Sequence, residues 1–308
     1  MLSIEHLCKS FGSLRAVDDI SFEVKESEIF GFVGPNGAGK TTTINLICLL
    51  LKPDSGQIFI DGMECGNGGI EVKRKLGVVP QDIAVYEDLN ARENLRFWGS
   101  LYDISGKELE QRVSYLLELT GLQDRAKEQV KNFSGGMKRR LNMAAGMIHK
   151  PKLLLLDEPT IGIDPQARHN MLAMVRDVAR EGTTILYTSH YLDEIEELCS
   201  RLAIIDHGRI LAQGTVDEVK RIVGENRVLQ VTGTFSRQSA EQLTGQIENL
   251  SLLSIAENQV VYSLPIQYGT GEFLEKLVKA GFEIDNLSIK EPSLDSVFIK
   301  LTGREFKD

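Results

Sequence analysis

The sequence predicts an α/β fold, with a parallel sheet covered on both faces by helices, a helical insert, and a smaller α+β domain behind it. Three observations predict it. Short apolar runs without alternation recur at Ile29–Val33, Leu153–Leu156, Thr184–Tyr187 and Leu202–Ile205, with helical segments between them; strands buried on both faces read this way. Between about residues 86 and 150 the pattern changes to apolar residues at helical spacing. After about residue 222, strand-like and helix-like segments alternate in a second composition. The domains are therefore placed at 1–222, containing the insert at about 86–150, and at 223–308.

Taken in order, Ile29–Val33 runs straight into a Gly-rich turn, and Thr41–Leu51 follows as a helix with Ile44, Ile47 and Leu51 on one stripe. In the insert, Leu109, Val113, Leu116 and Leu117 form one stripe, and Leu141, Ala144, Ala145 and Ile148 another. The run Leu153–Leu156 ends in two carboxylates, Asp157 and Glu158. In the second domain, strands are expected at Val228–Thr232, Leu252–Ala256, Val260–Leu264 and Phe282–Ile289. One helix there carries Phe273, Leu274, Leu277 and Val278, and a last helix Leu294, Val297, Phe298 and Leu301. The resulting order is β-α-β-β-α-β-α.

At 308 residues, 42% hydrophobic and 26% charged, the chain has room for a real core in one large or two unequal domains. A formal net charge of -9 argues against nucleic acid as a direct partner. Cys8, Cys48, Cys65 and Cys199 are scattered without a Cys-x-x-Cys pair, which fits reduced thiols better than a disulfide framework or a zinc site. The N-terminal MLSIEHLCKSFG is broken by polar groups and does not read as a signal peptide. The apolar stretches Ile44–Leu51 and Leu153–Leu156 fall well short of the ~20 residues a membrane-spanning helix needs. The chain is therefore not expected to span a membrane by itself.

The chemistry concentrates in three segments. Gly34-Pro35-Asn36-Gly37-Ala38-Gly39-Lys40-Thr41 matches the phosphate-loop pattern G-x-x-x-x-G-K-S/T between a strand and a helix. Glycines let backbone N–H groups close around phosphate oxygens, and the helix N-terminus adds partial positive charge. Lys40 then reaches the β/γ-phosphates and the Thr41 hydroxyl can ligate Mg²⁺. No G-x-G-x-x-G follows Val33, which argues against a dinucleotide site.

Second, Asp157 and Glu158 end an apolar strand, and their side chains diverge if the strand stays extended. Asp157 would support the Mg²⁺ shell and Glu158 would act as general base; alone, the pair reads equally well as two acids solvating a strand terminus. Third, Ser134-Gly135-Gly136-Met137-Lys138-Arg139-Arg140 reads as a helix start, with Ser134 as N-cap and the basic residues on a solvated face. Two glycines are poor helix formers, however, and would leave N–H groups open to an anion.

Phosphate loop, Ser-Gly-Gly and apolar run with Asp-Glu, in that order, resemble the ATP-binding subunits of ABC transporters. The resemblance covers about residues 1–220 and implies a P-loop NTPase core that hydrolyses ATP with Mg²⁺. It also implies roles for residues that say little alone. Phe11 would stack on adenine, and Gly34 through Thr42 would bind the phosphates. Gln81, in Val-Val-Pro-Gln-Asp, would touch metal and water and connect to a membrane partner. Asp164, in Ile161-Gly162-Ile163-Asp164, would cross a dimer interface, and His190 would contact the γ-phosphate. Metal ligands would be Thr41, Gln81 and Asp157; Ser134, Gly135, Gly136 and Asp164 would act on the ATP of a second copy.

Two motifs depart from the family's frequent forms. Phe133 and Met137 replace the outer residues of Leu-Ser-Gly-Gly-Gln, and the interface loop keeps only its acid. Both variants resemble those of the exporting branch. The remainder of the chain resembles the C-terminal extension of drug-, polysaccharide- or ion-exporting subunits, mainly at Glu291-Pro292-Ser293-Leu294-Asp295-Ser296-Val297-Phe298. The implied protein is a homodimeric ATPase on the cytoplasmic face of the membrane, paired with separate transmembrane permease chains. A soluble ABC-type ATPase for cofactor assembly or regulation is the alternative.

Overall fold

The computed structural model describes residues 1–222, 226–265, 268–290 and 293–303, with only the backbone of residues 67, 68 and 290. Glu291 and Pro292, which open the C-terminal motif, lie outside the described residues. The chain divides into two compact units, Met1–Gln213 and Gly214–Asp308.

In chain order the first unit contains β1 (Leu2–Phe11), β2 (Leu14–Val24), β3 (Ile29–Val33), α1 (Lys40–Ile47), β4 (Ser55–Ile60), β5 (Met63–Glu64), α2 (Cys65–Lys75), β6 (Leu76–Val79), α3 (Ala91–Ser100), α4 (Gly106–Leu119), α5 (Gly135–Gly146), β7 (Leu153–Asp157), α6 (Pro165–Arg180), β8 (Thr184–Ser189), α7 (Leu192–Leu198) and β9 (Arg201–Asp206), and β10 (Arg209–Thr215) runs on into the second. The main sheet has the order β10-β9-β3-β8-β7-β6. Here β3 pairs in parallel with β8 and β9, and β7 with β8 and β6. Every residue of β3, β7 and β8 is buried, as their unbroken apolar runs require.

The parallel register brings the C-terminal ends of these strands to one edge. Val33 lies opposite Ser189 and Ile204, Asp157 opposite Thr188, and Val79 opposite Leu156. The loops that leave this edge are those carrying the phosphate loop, Gln81, Glu158 and His190, so motifs far apart in sequence start from one line. A second sheet, β2-β1-β4-β5, is antiparallel. It shares one apolar core with α1 and the main sheet, in which Phe22 stacks on Phe30 at 5.4 Å and on Phe32 at 5.1 Å.

The insert is α3, α4 and α5 with two short 3₁₀ turns. Asn90 and Glu93 close a reciprocal capping box at the start of α3. Behind α5, His149 stacks on Tyr102 with ring centroids 3.7 Å apart, and its Nε2 lies 2.8 Å from the Leu76 carbonyl. A carbonyl only accepts, so Nε2 carries the hydrogen and Nδ1 is a buried lone pair with no hydrogen-bond partner. Burial holds this imidazole below its usual 6.5. The unfolded chain therefore takes up the proton first, and the stability present above pH 6.5 declines as pH falls below it. Thermal melts from about pH 7.5 to about pH 5.5 are expected to show that decline, flattened in His149→Gln; parallel curves for the two proteins would refute it.

The second unit holds α8 (Val216–Lys220), β11 (Asn226–Thr234), α9 (Arg237–Thr244), β12 (Ser251–Ile255), β13 (Gln259–Pro265), α10 (Thr270–Lys279), β14 (Glu283–Lys290) and α11 (Leu294–Thr302). Its antiparallel sheet runs β12-β13-β11-β14. Leu229, Val231, Tyr262 and Leu264 of that sheet form one core with Ala240 and Leu243 of α9 and Phe273 and Leu277 of α10. The division falls at Gly214 rather than at the residue 222 read from composition. The short α8 packs against α11 of the same unit, a contact that composition does not reveal.

Candidate nucleotide site

The phosphate loop owes its path to glycines that nothing else can replace. A Cβ on Gly34 would lie 2.2 Å from the Ile205 carbonyl oxygen, and one on Gly39, at φ 111°, would lie 2.4 Å from that of Ala16. The loop is buttressed from β9–β10. The Gly208 N–H donates to the Ala38 carbonyl at 2.9 Å, and the Gly208 carbonyl accepts from Asp18 N–H at 2.8 Å.

Lys40, the first residue of α1, is buried with its ammonium turned back into the loop. It donates to the Gly34 carbonyl at 2.7 Å and the Pro35 carbonyl at 3.2 Å, and pairs with Glu158 Oε1 at 2.9 Å. The second Glu158 oxygen lies 3.1 Å from His190 Nδ1. The conditional expectation for the two acids is settled here: the strand does not stay extended. Glu158 has φ 48°, a left-handed conformation unusual for a residue with a side chain. That turn re-aims its carboxylate at Lys40 and His190, and its own N–H donates to Thr188 Oγ1 at 3.0 Å.

Asp157 is also buried. Burial holds its carboxyl above the usual range, opposed by hydrogen bonds from Thr188 and Thr41. A buried carboxylate beside a helix-terminal hydroxyl fits a hard cation with oxygen ligands. Among the described residues no three His, Cys, Asp or Glu side chains gather into a metal cluster. That is compatible with Mg²⁺, which takes few protein ligands and fills its shell with water and phosphate oxygens.

A cavity of about 520 Å³ opens over the loop, lined by Phe11, Asn36, Gly37, Gly39, Lys40, Thr41, Thr42, Gln81 and Glu158. Phe11 is half exposed at its mouth and pairs across the hairpin with the more exposed Leu14, so both are available to a flat ring. Gly34, Pro35 and Ala38 form the loop beneath, and His190 stands behind Glu158. Ser134, Gly135, Gly136 and Asp164 are not among the lining residues. Ser134 and Asp164 each cap a helix instead: Ser134 Oγ accepts from Met137 N–H at 3.3 Å, and Asp164 Oδ1 from Ala167 N–H at 2.9 Å. Ser134, Gly135 and Asp164 are exposed.

Sequence reasoning missed Leu14, Arg15, Ala16, His207 and Gly208, which complete the lining. It also missed Glu194, fully buried beneath the histidine loop. Tyr187 and Ser189 hydroxyls donate to Glu194 Oε2, each at 2.8 Å, and Arg168 Nε meets Oε1 at 2.6 Å. Ser189 Oγ in turn accepts from Tyr191 N–H at 2.8 Å, which fixes the backbone on both sides of His190. Its place in an acidic helix, Asp193-Glu194 then Glu196-Glu197, gave it the look of a solvated charge.

The chain matches the ABC transporter family over residues 17–161 and "ATP-binding protein DrrA1-3-like, C-terminal domain" over residues 214–302. It is 39% identical to the linearmycin resistance ATP-binding protein LnrL of Bacillus subtilis, over 100% of both chains. It is 34% identical to the Nod factor export ATP-binding protein I of Cupriavidus metallidurans, over 100% of this chain and 99% of that one. A solved ATP-binding subunit of an ABC transporter superposes with a TM-score of 0.66 and 32% identity, over 73% of this chain and 93% of the other. The chain therefore belongs to the ABC transporter family, as an ATP-hydrolysing ATP-binding subunit with a DrrA-like C-terminal domain.

Proposed function

We propose that two copies of this chain sandwich two Mg–ATP molecules and drive export through separate permease chains at the cytoplasmic face of the membrane. The observation that carries the reading is the split of the site. One cavity gathers Phe11, Lys40, Thr41, Gln81 and Glu158, while Ser134, Gly135 and Asp164 stand exposed outside its lining. A second copy supplies the missing half, its Ser134 hydroxyl and Gly136 N–H capping the γ-phosphate and its Asp164 crossing the interface.

In this reading Phe11 stacks on adenine, the phosphate loop from Gly34 to Thr42 wraps the phosphates, and Lys40 moves from Glu158 to the β/γ-oxygens. Thr41, Asp157 and Gln81 hold the Mg²⁺, which neutralises phosphate charge when bound. Glu158, released from Lys40, takes a proton from water as that water attacks the γ-phosphorus. The bond to the β–γ bridging oxygen breaks, and ADP and phosphate leave. His190 holds Glu158 in place and contacts the γ-phosphate. Phosphate release removes the contacts to Ser134 and Gly136, and the dimer reopens.

Export is supported by relatives named for drug resistance and Nod factor export. No helix among the described residues is long and apolar enough to cross a membrane, which fits a separate permease. Beside Gln81, exposed Ile83, Tyr86 and Phe97 offer an aromatic patch, with Tyr86 edge-on to Phe97 at 4.9 Å, suited to a permease helix. Light scattering of the Glu158→Gln chain is expected to give a dimer with ATP and a monomer without it. A chain that stays monomeric at saturating ATP would sink the shared-site reading.

A further inference from the structure

Lys138, Arg139 and Arg140 lie in α5 directly after its opening Gly135-Gly136-Met137, and their sequence suggests a solvated basic face. The structure employs each of them differently. Lys138 pairs with Glu87 at 2.5 Å, and Arg140 donates to the Thr120 carbonyl at 2.6 Å. Arg139 is only partly exposed, and both of its hydrogen-bond acceptors are main-chain carbonyls on different loops. One guanidinium nitrogen donates to the carbonyl of Gln81, and the other to the carbonyl of Ile161 at 3.2 Å.

Those two loops are the ones whose positions matter to the site. The Gln81 loop enters the cavity, and one turn further along α5 Asn142 grips it again, accepting from Ala84 N–H at 3.0 Å and donating to the Pro80 carbonyl at 3.4 Å. The Ile161 loop is tied at its start to the general base, because Ile161 N–H donates to the Glu158 carbonyl at 3.3 Å, and it ends at Asp164. A planar fork presents its donors from separate nitrogens at fixed angles and so spans carbonyls on two loops; a lysine ammonium donates from one point on a flexible stem and does not reproduce that spacing.

We infer that Arg139 is a positioning residue, a strut that fixes the Gln81 loop and the Glu158–Asp164 turn relative to the Ser134–Gly136 segment within one chain. The inference rests on the shared-site reading. Its consequence is that the elements serving the chain's own ATP and those serving its partner's move as one body. Displacing α5 moves Gln81, the turn bearing Glu158, and Asp164 together. The carbonyls that accept from Arg139 belong to Gln81 and Ile161 and not to the phosphate loop, so ATP affinity at Lys40 is not its concern.

The test uses the full chain with Arg139→Met and Arg139→Lys, read by steady-state ATPase kinetics, thermal melting, and ATP-dependent dimerisation in the Glu158→Gln background. Arg139→Met is expected to lower kcat by about 10- to 10²-fold, the scale of a sub-ångström to ångström misplacement, while equilibrium ATP binding by the undimerised chain stays close to wild type. The ATP concentration needed for dimerisation should rise. Arg139→Lys should keep the wild-type melting temperature yet leave kcat low. Wild-type kcat in Arg139→Met overturns the strut, and so does Arg139→Lys restoring kcat and melting temperature together, since that is what a merely structural cation would do. A wild-type chain that neither hydrolyses ATP nor dimerises overturns the underlying reading instead, and the two failures are thereby distinct.

Discussion

Glu158→Gln is expected to lower ATP turnover by about 10²- to 10⁴-fold, the range lost when a positioned general base is removed. Glutamine has the shape of glutamate, and its carbonyl still accepts from Lys40, now 2.9 Å from Glu158 Oε1. What disappears is a proton acceptor at the point where His190 and Thr188 hold the side chain and backbone. Binding should survive, because the loop glycines and Lys40 are untouched. Removing the carboxylate also ends its competition with phosphate for the Lys40 ammonium, so a nucleotide analogue that cannot be hydrolysed should bind at least as tightly as to the wild type. Single-turnover hydrolysis together with equilibrium binding of that analogue separates the two effects. Turnover within a few-fold of wild type would remove Glu158 from the role of base.

The second large effect belongs to Lys40→Met. Methionine fills much of the volume of the lysine stem but carries no charge, and the site then lacks its buried cation. Truncating one partner of a buried, hydrogen-bonded charge pair costs about 2–5 kcal/mol, which at the affinity scale is roughly 30-fold to several thousand-fold. ATP binding measured by calorimetry should weaken by that range. The same substitution leaves Glu158 buried without the ammonium that pairs with it, so the ATP-free protein should also melt lower. Unchanged ATP affinity in Lys40→Met would mean that the phosphates sit elsewhere than over this loop.

Much of the fold is legible in the amino-acid sequence, for a physical reason. Strands buried on both faces must be apolar throughout, so β3, β7, β8 and β9 announce themselves as unbroken runs. The phosphate loop was equally legible, because Gly34 and Gly39 occupy places where any Cβ would strike a carbonyl. Glu194 was not. Its burial depends on Tyr187, Ser189 and Arg168 arriving from other elements, and a carboxylate amid other acids gives no local sign of that. Arg139 was hidden for the same reason: an exposed basic residue and a basic residue bridging two loops look alike until the loops are placed. Arg15, at the start of β2, and His207, in the turn after β9, entered the cavity lining from separate elements, and which residue faces which across a cleft is a tertiary fact.

The backbone at Glu158 sets two demands against each other. Its φ of 48° is a conformation that glycine adopts freely and glutamate does not. The substitution that would relax the chain most at this point is therefore the one that would silence it. Glycine there would relieve the backbone, but it would also leave the buried Lys40 ammonium without its carboxylate and the water without its base, so the strained conformation is kept by the charge pair it serves.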